Sequence, residues 1–118
     1  MTSLVACLGA GNGTWTHIMK LIDDEEWENV FLVTNIFGAQ KFSCSKPVEF
    51  IIIDENRYTL ELRDEIISKL KGKITDTEVA LNLISGTGKE HMATIGAVLK
   101  LGFAVRLVAV TPNGVKEI

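Results

Sequence analysis

Short apolar runs alternate with segments of helical spacing along the whole of this 118-residue chain, and few folds accommodate that order. Leu4 to Leu8 is a continuous apolar run, the pattern of a strand buried on both faces. From Thr14 to Asp23, Trp15, Ile18, Met19 and Ile22 fall at i, i+3, i+4 and i+7, one face of a helix. The acidic stretch from Asp23 to Glu28 closes that helix as a solvated turn. Asn29 to Asn35 and Val48 to Asp54 are two further strands, rich in Val, Ile and Phe. Between them, Ile36 to Pro47 reads either as a short helix or as an irregular crossover. Arg57 to Lys71 is helical, with Gly72 as its C-cap. Glu78 to Ile84 is the fourth strand, Gly88 to Leu101 a helix closed by Gly102, and Phe103 to Val110 the fifth strand. The TPNG turn at Thr111 to Gly114 folds Val115 to Ile118 back as a hairpin.

Strand–helix alternation of this kind means a three-layer α/β domain spanning residues 1–118, with a mostly parallel sheet covered on both faces. Right-handed crossovers give the strand order 3-2-1-4-5, a Rossmann-like winding, with the last strand antiparallel at one edge. In that order strands 1 and 4 are neighbours, and the winding direction reverses between them. Ligands of open α/β sheets bind at such a reversal, outside the carboxyl ends of the strands.

Two glycine-rich turns fall there: Gly9 to His17 (GAGNGTWTH) after strand 1, and Ser85 to His91 (SGTGKEH) after strand 4. The first is not the dinucleotide fingerprint, whose third glycine is required at Thr14. The second is not a Walker A loop, which needs glycine at Leu83 and Ser or Thr at Glu90. What remains is general chemistry. A glycine turn feeding a helix offers unpaired N–H groups and a positive dipole end to an anion. Gly9, Ala10, Gly11, Gly13, Gly86 and Gly88 supply the backbone. Lys89 adds a charge, and Asn12, Thr14, Ser85 and Thr87 add neutral donors. Equally, such glycines can simply permit tight strand-to-helix turns.

His17 and His91 lie in the first turns of the two helices meeting at this crevice. They are candidates for acid–base work or for donation to a phosphate, or ordinary histidines at helix starts. Asn35 ends strand 2 and can rim the pocket. Trp15 can stack on a base, but its helical register favours the core. Cys7 is a small core residue in mid-strand, while Asp54 and Glu55 lie two strands from the crevice. No carboxylate or thiol cluster accompanies the histidines at ligand spacing, so neither a metal nor another cofactor is expected.

Composition narrows the partners. With 12 Lys and Arg against 15 Asp and Glu, the net charge of −3 argues against binding duplex nucleic acid. No apolar run is long enough to span a membrane, and neither a basic n-region nor a small-residue cleavage site marks a secretory signal. Two isolated cysteines are too few for a disulfide framework, so a reducing, cytoplasmic setting is the expectation. The helix from Gly88 to Leu101 is apolar nearly all round, which calls for a second cover. A second subunit across a two-fold axis or the neighbouring helix alone would serve.

In Asn82, Ser85, Gly86, Thr87, Lys89 and Met92, set within VALNLISGTGKEHMATIGAVLKLGFAVRLVAV, the chain resembles the CRISPR-associated Rossmann-fold (CARF) ligand-sensor domains. The resemblance runs through the element order of the whole chain. It departs from the family pattern at Gly88, which intrudes between Thr87 and Lys89, and in the Lys89-to-Met92 spacing, one residue longer than usual. It implies a homodimer that binds a cyclic oligoadenylate, a second messenger of type III CRISPR defence, on its two-fold axis between the two turns of each subunit. Some family members also cleave the ring slowly, by placing a ribose 2′-hydroxyl in line with the adjacent phosphate. Lys89, His91 and His17 would then supply the charge. Two other readings fit the residues: a domain binding a mononucleotide or anionic metabolite, and a dimerisation or scaffold domain with an empty crevice.

Overall fold

A computed structural model describes residues 2–118, the side chain of Asn12 apart. Its strands are β1 (Ser3–Cys7), β2 (Val30–Thr34), β3 (Glu49–Ile52), β4 (Glu78–Asn82), β5 (Ala104–Thr111) and β6 (Gly114–Glu117). Its helices are α1 (Trp15–Asp23), α2 (Ile36–Lys41), α3 (Thr59–Leu70) and α4 (Gly88–Lys100), with a short 3-10 turn at Asn12–Thr14 leading into α1. The sheet order is β3-β2-β1-β4-β5-β6. All pairings are parallel except β5 with β6, which is antiparallel. This is the three-layer, Rossmann-like arrangement that the strand–helix alternation predicts.

The central strands alternate strictly between two cores, as strand geometry requires. Val5, Cys7, Phe31, Val33, Val79 and Leu81 face α3 and α4 and meet Leu62, Ile66, Ala93, Ala97 and Val98. Leu4, Ala6, Leu8, Leu32 and Ala80 face the other way and meet Ile18, Leu21 and Ile22 of α1. Burial on both faces explains why β1 and β2 read as unbroken apolar runs.

The stretch from Ile36 to Pro47 resolves into both of its alternatives: a six-residue helix, then irregular chain with a bend at Ser45 and Lys46. Asn35 caps α2 by accepting from the Gly38 amide at 2.9 Å. Gly38 itself is pressed on the Thr34 hydroxyl, so no side chain fits there. Beyond α2, Phe42 packs edge-on against Trp15, with ring centroids 5.6 Å apart. Lys46 then reaches the carboxyl end of α1. Its Nζ donates to the carbonyls of Ile22, Asp23 and Glu25 at 3.1, 3.2 and 3.0 Å. A cation there satisfies orphan carbonyls and opposes the negative end of the helix dipole.

Lys46→Met keeps the aliphatic stem and removes those bonds. We expect it to lower the stability by about 1–2 kcal/mol, read as a lower urea midpoint with unchanged m. An unchanged midpoint would show that the lysine contributes nothing at this position.

Candidate functional site

The winding reversal between β1 and β4 brings the two glycine turns into contact. Ser85, buried just past β4, accepts a hydrogen bond from the Gly9 amide at 2.8 Å and another from the Thr14 hydroxyl at 2.6 Å. Gly9 has no room for a side chain: a Cβ there would lie 2.8 Å from the Gly86 nitrogen and 3.0 Å from its Cα. Gly86 adopts φ +98°, a left-handed conformation open to glycine at little cost. Trp15 completes the first turn from its rim, donating its indole N–H to the Gly9 carbonyl at 2.9 Å.

These turns line a cleft of about 540 Å³. Gly9, Ala10 and Gly11 form one wall and Ser85, Gly86, Thr87, Lys89 and Glu90 another, with Asn35 and Glu55 on the far side. Among the ligand-contacting positions expected from sequence, Gly9, Ala10, Gly11, Asn35, Ser85, Gly86, Thr87 and Lys89 line the cleft. Gly13, Thr14 and Gly88 do not, and the Asn12 side chain lies outside the described residues. A Cβ at Gly11, Gly13 or Gly88 would meet nothing within 4 Å, so neither packing nor a positive φ requires glycine there.

The first turn of α4 is a capping box. The Thr87 amide and hydroxyl both donate to Glu90 Oε2, the amide at 3.2 Å. Thr87 and Glu90 are three residues apart, the spacing this motif needs. That signal was present in the sequence, and it accounts for Gly88 and Lys89 as the two residues between cap and partner.

The three candidate reactive residues are not brought together. Lys89 Nζ donates to the Arg57 carbonyl at 2.8 Å, bridging α4 to the loop that follows β3. His91 Nε2 donates to the Ser85 carbonyl at 2.8 Å, bracing the second turn from within. Its ring also lies under Gly86, 3.4 Å from where a Cβ would sit. His17 is on the opposite face of the sheet, with Nε2 3.3 Å from the Asn82 amide nitrogen. That nitrogen also donates to the Val108 carbonyl at 2.8 Å, while Asn82 Oδ1 accepts from the Ile84 amide at 3.2 Å. The Asn82 amide therefore presents N–H to His17, whose Nε2 must be unprotonated to accept it. Burial also holds the imidazole pKa below its ordinary value.

Beneath the second turn, Cys7 Sγ lies 3.4 Å from the buried Thr94 hydroxyl. Burial pushes the thiol pKa up to about 12, with the hydrogen bond to Thr94 opposing it. Such a thiol is neutral and unreactive near neutral pH, in keeping with a core residue. Glu55 is the residue sequence reasoning undervalued. Strand β3 is two strands away from β1, but the loop after it returns to the cleft, and Glu55 Oε1 accepts from Asn35 Nδ2 at 3.1 Å.

A second cleft of about 520 Å³ lies at the amino ends of β2 and β3, between Glu26 and Glu49. Two of its polar side chains are committed, Lys46 to the end of α1 and Glu49 to an ion pair with Lys73. It also lies at the end of the sheet opposite the winding reversal. Among the described residues no group of three or more His, Cys, Asp or Glu is placed to hold a metal ion, and no helix is long and apolar enough to cross a membrane. No protein-family model matches the chain, and neither does any curated protein sequence.

Gly9→Ala should destabilise the fold by about 1–3 kcal/mol, because its methyl group meets backbone that cannot move freely. Gly11→Ala, facing open space, should leave the denaturation midpoint within experimental error. Equal midpoints for the two variants would contradict the close approach of the turns. His17 gives a second expectation. The unfolded chain takes up a proton near pH 6.5, above the folded value. The contribution of neutral His17 is thus complete above that pH and lost as pH falls below it. Unfolding followed from pH 7 to 5 should show this loss, and His17→Gln should abolish its share. An NMR titration midpoint at or above 6.5 for His17 would contradict the assignment.

Proposed function

We propose that this chain is a nucleotide-sensing domain that holds its ligand between the Gly9–Gly11 and Ser85–Lys89 turns. The observation that carries this reading is the backbone contact of the two turns at the point where the sheet reverses its winding. Open α/β sheets bind ligands there, with backbone amides and a helix start directed at the polar part of the ligand. A cleft of about 540 Å³ per chain is within the range that holds a nucleotide-sized molecule. In keeping with the CARF resemblance, the ligand in this proposal is a cyclic oligoadenylate, shared by two copies of the chain.

The outer surface of α4 supports the shared arrangement. Met92 and Leu99, two turns apart on one stripe, are 65% and 57% exposed. Leu107 and Ile118 are exposed on the adjoining β5–β6 edge. An apolar stripe beginning beside the cleft would be covered by its two-fold mate. Sensing needs only binding. Ring cleavage would rest on positioning, because Lys89, His91 and His17 are held by three different partners. The alternative of one mononucleotide or anionic metabolite per chain draws on the same cleft volume and needs no second subunit.

Thermal unfolding with cyclic tetra-adenylate, cyclic hexa-adenylate and AMP tests these readings together with sedimentation velocity. A cyclic-oligoadenylate sensor gains stability in proportion to the logarithm of ring concentration, sediments as a dimer, and loses the shift in Gly11→Leu without losing its own Tm. A shift with AMP alone in a monomer supports the alternative. No shift with any of the three contradicts nucleotide sensing.

A further inference from the structure

The cleft has a third wall that the glycine turns do not explain. The loop from Asp54 to Tyr58 returns from β3 and is tied down at two points. Asn35 Nδ2 holds Glu55 Oε1 at 3.1 Å, and Lys89 Nζ holds the Arg57 carbonyl at 2.8 Å. Asn35 is itself fixed, since its Oδ1 is engaged by the Gly38 amide at 2.9 Å. A carboxylate on a flexible stem is thus presented from a braced amide. Among the described residues, the second oxygen of Glu55 has no hydrogen-bond partner.

The chemistry of this wall is opposite to that of the turns. Turn amides bind acceptors, whereas an ionised carboxylate only accepts. Glu90, the other acid of the cleft, already takes two bonds from Thr87. Among the described residues lining the cleft, the one cation, Lys89, donates to a carbonyl. A fully ionised anion such as sulfate or a phosphodiester offers no donor and would face Glu55 with repulsion. A nucleotide offers both kinds of group, phosphate acceptors at one end and hydroxyl or amino donors on the nucleoside.

Building on the nucleotide reading above, we propose that Glu55 is a specificity residue that accepts a hydrogen bond from a donor on the nucleoside, either a ribose hydroxyl or the exocyclic amine of adenine. Lys89 is then a positioning residue, holding the Glu55 loop against the cleft through Arg57. A carboxylate set at the end of a strand to take sugar hydroxyls is a recurrent solution in doubly wound sheets; here it arrives from the loop after β3.

Calorimetric titration of wild type and Glu55→Gln with three probes tests this: cyclic tetra-adenylate, its 2′-deoxy counterpart, and its hypoxanthine counterpart. Glutamine keeps an oxygen for Asn35 but replaces a charged acceptor by a neutral amide. The variant should bind the adenylate about tenfold more weakly, the scale of one hydrogen bond to a charged group. One of the two analogues should bind wild type with a similar loss, and Glu55→Gln should weaken that analogue no further, which names the donor. Equal affinity of wild type and variant for the adenylate overturns the role of Glu55 and leaves the nucleotide reading standing. Tighter binding by the variant overturns it too, since Glu55 would then merely repel phosphate. Losses that simply add for both analogues also overturn it. Absence of binding by both proteins contradicts the nucleotide reading itself, and this inference falls with it.

Discussion

Between β1 and β4 two turns pass each other backbone against backbone, and the rest of the site is built around that passage. Ser85 takes the Gly9 amide and the Thr14 hydroxyl, so two segments far apart in sequence share one oxygen. Gly9 sits where a Cβ would strike the Gly86 backbone, and Gly86 adopts a conformation that side chains rarely take. The sheet leaves room for the passage because its crossovers run away from β1 and β4 in opposite directions. Helices α1 and α2 cover one face and α3 and α4 the other.

Beneath the cleft, polar groups are paired rather than poised. His91 braces the Ser85 carbonyl, Thr94 meets the Cys7 thiol, and Asn82 joins β4 to β5 and to His17. Buried polar networks satisfied in this way hold a fixed geometry, which suits a domain that recognises a ligand by shape and hydrogen bonding. The charges left facing the cleft are carboxylates as well as a lysine, and this mixture suits a nucleotide better than a simple anion.

Much of this was legible in the sequence because it follows from periodicity. Unbroken apolar runs such as Leu4 to Leu8 marked strands buried on both faces, and their alternation with helical segments set the strand order. That order in turn placed Gly9 and Ser85 side by side. The capping box of Thr87 and Glu90 was equally visible as a T-x-x-E spacing, although it does not require glycine at position 88. Glu55 and Lys46 were not legible, and neither were the contacts of Asn82. Each acts through a long-range contact that depends on how a loop returns or where a neighbouring strand ends, and no local pattern encodes that. His17 shows the limit most clearly. It stands at a helix start beside the first turn, as the sequence suggested, yet the helix turns its imidazole to Asn82, away from His91.

If the two glycine turns form one binding site, a ligand must perturb both at once. Amide chemical-shift mapping of the ¹⁵N-labelled chain during titration with cyclic tetra-adenylate tests it most directly. With a single site, the amides of Gly9 to Gly11 and those of Gly86 to Lys89 shift together, with a common saturation curve. Shifts confined to one turn, or centred on the Glu26–Glu49 cleft at the other end of the sheet, would contradict it.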